Sequence, residues 1–195
     1  DEDDISSAYS AGTSPNDGNA DGSDTEHIDD TEGSVAVARG SLAGLVNFGA
    51  DGPGANGGFG FSADAVATLT ALGLTAHGDE LIYLVSGNTL TAISSTGSHH
   101  LVFTLEISAN GDFTFKLYDQ LDHQAPTPGT ADENNLAINF GSVIVATDGD
   151  GDSVSLDGKV TVNITDDIPY LKAERNGDTT IVIDESAGQQ GNDTT

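Results

Sequence analysis

The stretch VATDGDGDSVSLDGKVTVNITDDIP, residues 145–169, concentrates the side chains best able to do chemistry. Asp148, Asp150 and Asp152 alternate with Gly149 and Gly151. Hard cations such as calcium take roughly six to eight oxygens from carboxylates, carbonyls and water, and a D-x-D-x-D loop turns alternate side chains toward one concave side while glycine permits the curl. As an EF-hand the loop fails. With Asp148 at position 1, position 6 is Ser153 instead of Gly and position 12 is Lys159 instead of a bidentate Glu. Either the triad recruits ligands from elsewhere in space, or it is a solvated acidic turn between strands.

A second acidic pair, Asp166 and Asp167, ends the next apolar run, and Pro169 blocks its continuation as a strand. A strand of about a dozen residues, up to roughly 40 Å long, separates the pair from the DGDGD loop. The two groups are therefore expected at opposite poles. On this reading Asp148, Asp150 and Asp152 lie near the incoming Asp1, Glu2 and Asp3, while Asp166 and Asp167 face Asp184 and Glu185 of a following unit. Each joint of an array would collect carboxylates from two neighbouring domains, and calcium would hold it rigid against like-charge repulsion.

Charge supports a cation as the missing component. The 195 residues include 32 acidic and 5 basic side chains, a formal net charge of −27 at pH 7, and Arg39, Lys116, Lys159, Lys172 and Arg175 are scattered. Nucleic acid and anionic membranes need a clustered basic footprint, so both are poor partners. So dense a negative charge opposes compaction unless something neutralises it, and several calcium ions are the leading candidate. The chain has no Cys, which removes disulfides and thiolate zinc sites and suits a chain that crosses membranes unfolded. No apolar run approaches the roughly 18 residues of a membrane span, and the DEDD start is not a signal peptide. The sequence reads as an internal excerpt of a longer chain.

Other polar groups carry weaker signals. GGFGFSADA, residues 57–65, has Ser62 where a calcium nonapeptide repeat requires Asp, so its glycines are expected in a tight turn. Asp119, Asp122 and Glu133 bracket a Pro-containing loop, but with no Trp and 4 Tyr a sugar-cleaving cleft is disfavoured, and the loop reads as solvated or calcium-linked. His99 and His100 are adjacent on an expected strand, so they point to opposite faces and do not readily share a metal. No nucleophile elbow, phosphate loop or H-E-x-x-H motif occurs. The chain is not expected to be an enzyme.

The elements that must position these groups are strands. From Val35 onward, short apolar runs are punctuated by Gly, Asn and Asp, the pattern of an all-β sandwich. In residues 100–120, Leu101, Phe103, Leu105 and Ile107 alternate toward Asn110-Gly111, which offers the two positive-φ residues of a tight hairpin, and Phe113, Phe115 and Leu117 alternate back. Residues 80–94 form a second hairpin turning near Gly87-Asn88, and 136–147 with 153–165 a third. Residues 64–74 fit a helical turn or a strand. Residues 1–33 hold few large apolar groups and form an irregular acidic leading segment. Asp-Glu pairs at residues 1–2 and 184–185 mark either one period of a tandem array or a coincidence in an Asp-rich chain. The periodic division is 1–168 as one unit, with 169–195 as linker and the start of the next.

The order FGADG (48–52), ALGLTAHGDELIYLVSGNTLTA (71–92), NGDFTFKLYDQLDH (110–123), ENNLAINF (133–140), TDGDGDSVSLDGKVTVNITDDIP (147–169) and IDES (183–186) resembles the tandem repeat domains of very large, type I-secreted bacterial RTX adhesins. The resemblance implies an immunoglobulin-like Greek-key β-sandwich that folds with calcium. It implies a place in an extracellular fibre, on the bacterial cell surface, that supports attachment and biofilm formation. The family's calcium ligands would fall on Asp148, Asp150, Asp152, Asp166 and Asp167, and also on Asp1, Glu2, Asp184 and Glu185. Its partners would be neighbouring repeats of the same chain, with the domain itself monomeric. The alternative is a calcium-dependent module that recognises a surface glycan or peptide.

Overall fold

Apolar alternation becomes antiparallel pairing throughout this computed structural model, which describes residues 2, 5, 35–97, 99–124 and 135–166. The strands in chain order are β1 (Ala36–Ser41), β2 (Phe59–Phe61), β3 (Thr75–Ala76), β4 (Asp79–Ser86), β5 (Thr89–Ser94), β6 (Leu101–Ile107), β7 (Asp112–Leu117), β8 (Asn135–Asn139), β9 (Ile144–Thr147), β10 (Ser153–Ser155) and β11 (Thr161–Thr165). Residues 64–74 resolve into a short helix, α1 (Ala65–Thr70), whose Leu69 is buried. One sheet has the order β1-β7-β6-β5-β4-β3, a second β10-β9-β2, and β11 pairs with β8. The fold is an all-β sandwich, as the apolar pattern predicts. Among the described residues, no helix is long and apolar enough to cross a membrane.

The first two hairpins form where expected, with one difference in their turns. Between β6 and β7 only Gly111 takes a positive φ, 86°. Its N–H donates to the Ser108 carbonyl at 3.0 Å and the Ser108 N–H donates to the Asp112 carbonyl at 2.8 Å, so the connection is the three-residue form with one left-handed residue. Between β4 and β5, Gly87 at the first central position has φ 59°, the signature of a type II′ turn.

The third hairpin is divided. A 3-10 turn, Phe140–Ser142, separates the β8–β11 pairing from β9–β10, and β9 also pairs with β2. The break buries Phe140, whose ring centroid lies 5.8 Å from Phe103 and 5.5 Å from Phe115. These three rings join the two layers. Leu105, Ile107, Ile138 and Ile144 pack around them at 0–1% exposure. Burying each such side chain contributes about 1.5–3 kcal/mol.

The leading segment holds a finding that composition alone does not predict. Ile5 is fully buried within the core cluster and Glu2 is 6% exposed. The Glu2 N–H donates to the Thr165 carbonyl at 3.2 Å, at the end of β11. The rest of the expected 1–33 segment up to Gly33, and the expected linker 169–195, lie outside the described residues.

Candidate metal centre

Strands β9 and β10 pair Thr147 with Ser153, which leaves the DGDGD loop as their connection. The loop closes on itself: the Asp148 N–H donates to the Asp152 carbonyl at 3.0 Å. Asp148 Oδ1 in turn accepts the N–H groups of Gly151 at 3.0 Å and Asp152 at 2.8 Å. It also docks on residues 51–54. Gly149 N–H donates to the Gly52 carbonyl at 2.9 Å, Pro53 bridges to Asp148, and Gly54 N–H donates to the Thr147 carbonyl at 2.9 Å. A Cβ on Gly149 would collide with the Asp51 carbonyl oxygen, so glycine is what permits the approach.

This docking supplies the ligand that the loop itself lacks. Asp51, Asp148 and Asp150 each offer a carboxylate oxygen, all within 4.8 Å of one another. Asp152 is not in that group; it contributes its main chain and, with Asn47, Phe48 and Ser153, lines an adjoining open cavity of about 190 Å³. The Asp148 carboxyl lies below the ordinary Asp value, first because the Asp150 side chain hydrogen-bonds to it and then because of the loop N–H groups. Carboxylates this close repel one another when ionised, and a metal ion among them would relieve that repulsion.

The structure corrects the expected placement of Glu2. Glu2 does not join the DGDGD loop; it lies with Asp166 and His123, their ligand atoms within 4.8 Å of one another. Glu2 Oε1 accepts the Leu121 N–H at 2.7 Å and lies 3.3 Å from His123 Nε2. Burial holds its carboxyl above the ordinary value, partly offset by His123 and the Leu121 N–H, with Asp166 adding to the rise. Asp166 and the DGDGD loop lie at opposite ends of the long divided hairpin, since β8 and β9 lead to one and β10 and β11 return to the other. Asp1, Asp167, Asp184 and Glu185 lie outside the described residues.

A third cluster departs further from expectation. Asp119 is 1% exposed rather than solvated; its Oδ1 is hydrogen-bonded with His77 Nε2 at 3.0 Å, and its Oδ2 lies 2.7 Å from His100 Nε2. His99 and His100 precede β6 instead of lying on it, and His99 has φ 51°. Sequence spacing gives little sign of these groups because His77, His100 and Asp119 come from three separate connections. For Asp51 a signal exists: FGADG repeats the Asp-Gly pair of the loop it meets. A family model described as Domain of unknown function (DUF5801) matches residues 16–163. No curated protein and no solved structure matches the chain.

Proposed function

This chain belongs to the DUF5801 family, and we propose that it is a calcium-stabilised structural module of a large bacterial cell-surface adhesin. The observation that carries the calcium reading is the convergence of Asp51, Asp148 and Asp150 within 4.8 Å, in a chain of net charge −27. Three carboxylates at that separation repel unless a cation lies among them, and carboxylate and carbonyl oxygens are the donors that calcium takes. The adhesin context rests on the order of motifs from FGADG to IDES. In such a context the domain is exported loosely folded from a low-calcium compartment and sets outside the cell.

A second reading, a displayed module that recognises a glycan or peptide, is favoured by one contact. Glu2 N–H bonds the Thr165 carbonyl, so the chain at residue 2 and the end of β11 share one end of the sandwich, and the DGDGD end projects away from them.

Thermal unfolding in millimolar calcium and in chelator tests the first reading. An ion that binds only the folded state adds about 2.7 kcal/mol at a hundredfold excess over Kd, and coincident transitions would overturn it. Glycan-array binding that chelation abolishes would establish the second reading.

A further inference from the structure

We propose that His77, His100 and Asp119 form a binding site for a divalent transition ion, with zinc the best match, separate from the acidic loop. The three ligand atoms lie within 4.8 Å of one another. Calcium selects oxygen donors, whereas two imidazoles and a carboxylate are the donor set of zinc and its neighbours. Three protein ligands and one open position is the arrangement of zinc sites that keep a water or accept an outside ligand.

The geometry favours an ion over a simple buried pair. Asp119 is 1% exposed, and Nε2 atoms of both histidines address it, one on each carboxylate oxygen. A single positive charge would balance that carboxylate, yet two imidazoles converge. Around a tetrahedral zinc, bonds of about 2.0–2.1 Å set ligand atoms roughly 3.3 Å apart. The present separations of 3.0 and 2.7 Å reach this by opening a few tenths of an ångström. Asp122 Oδ2 accepts the N–H of Gly78, the residue after His77, at 2.8 Å.

The supporting contacts are those of a held ligand. His100 Nδ1 lies 3.0 Å from Oγ of the fully buried Ser94, which fixes the ring so that Nε2 faces Asp119, as outer contacts do for metal-binding histidines. The Gln120 N–H donates to Asp119 Oδ1 at 3.0 Å. His77 and Gly78 join β3 to β4 with φ 53° and 81°, a type I′ turn in which Asn, Asp or Gly is the usual first residue. The imidazole placed there is the one that reaches Asp119. His77 is 32% exposed against 11% for His100, so the open position faces solvent on the His77 side. A zinc there pins the β3–β4 turn, the connection before β6 and the segment after β7 to one another.

The test is calorimetric titration of the 195-residue chain with zinc under saturating calcium, with cobalt(II) substitution read by its visible ligand-field absorption. The expected result is one zinc per chain and a cobalt band. His77→Ala, a change at a partly exposed turn, should abolish the band and lower zinc affinity by at least about tenfold, while calcium stoichiometry stays unchanged. Asp51→Asn should leave the zinc site intact, which separates failure here from failure of the calcium reading. No zinc heat and no cobalt band in the parent chain would overturn the proposal, as would unaltered zinc affinity in a folded His77→Ala variant.

Discussion

The backbone N–H of Gly149 donates to the Gly52 carbonyl across 2.9 Å, and through that bond two distant loops become one acidic centre. Asp51 thereby stands with Asp148 and Asp150, while Asp152 serves the loop through its N–H. Asp51→Asn and Asp150→Asn should each lower calcium affinity and shrink the calcium-induced rise in Tm. Asp152→Asn should have the smaller effect. Calorimetry with calcium ranks the three, and equal effects would remove the distinction drawn between side-chain and main-chain roles.

Gly149→Ala should separate the loops. The added methyl meets the Asp51 carbonyl oxygen, and backbone does not yield as a flexible side chain does. Calcium affinity should fall as Asp51 moves away, whereas stability in chelator should drop by only about 1–3 kcal/mol, the range of local overpacking. Loss of all cooperative unfolding would instead place this loop within the folding core.

Glu2 and Asp148 should give opposite pH slopes in chelator. Burial lifts the Glu2 carboxyl above its ordinary 4.5, so the native state holds that proton more tightly than the unfolded chain. Its favourable contribution is complete below about 4.5 and fades as pH rises through the folded value. Asp148 is lowered from 3.8, so its contribution is present above 3.8 and is lost as pH falls through the folded value. Glu2→Gln should therefore gain stability relative to the parent as pH rises above 4.5, in a site that also holds His123 and Asp166. Denaturant titrations across pH 3–8 check this, and a pH-independent difference would contradict the burial of Glu2.

Ile5→Ala tests whether the leading segment belongs to the fold. Ile5 is fully buried in the core cluster, so truncation should cost about 2–5 kcal/mol, comparable with the about 3–5 kcal/mol expected for Phe140→Ala. Val154→Thr, at a 55% exposed position, should change stability by less than about 0.5 kcal/mol. Chemical denaturation measures all three, and an Ile5→Ala effect as small as that of Val154→Thr would detach the segment from the core.

Much of the fold could be read because alternation is a local signal. Leu101 to Ile107 and Phe113 to Leu117 declare two strands and the turn between them. The DGDGD loop was equally legible, since three carboxylates and two glycines sit within five residues. Its partner was not, because Asp51 reaches it only through tertiary pairing of residues 51–54 with 147–149. Glu2 falls at the other end for a similar reason: a composition poor in apolar groups gives no sign that Ile5 is buried in the core cluster and that Glu2 pairs beside β11. The histidine cluster was missed because residues on three connections share no period, and His100 was read as part of a strand that begins at Leu101.

The bond from Glu2 to the Thr165 carbonyl has a mechanical meaning. Tension applied to the chain at Glu2 and at Asp166 enters and leaves at the same corner of the domain. The load falls first on that corner, on the Glu2 contacts with Thr165 and Leu121, and these few bonds open one after another as a zipper does. The sheets carry no shear until the corner has parted and Ile5 has been drawn from the core.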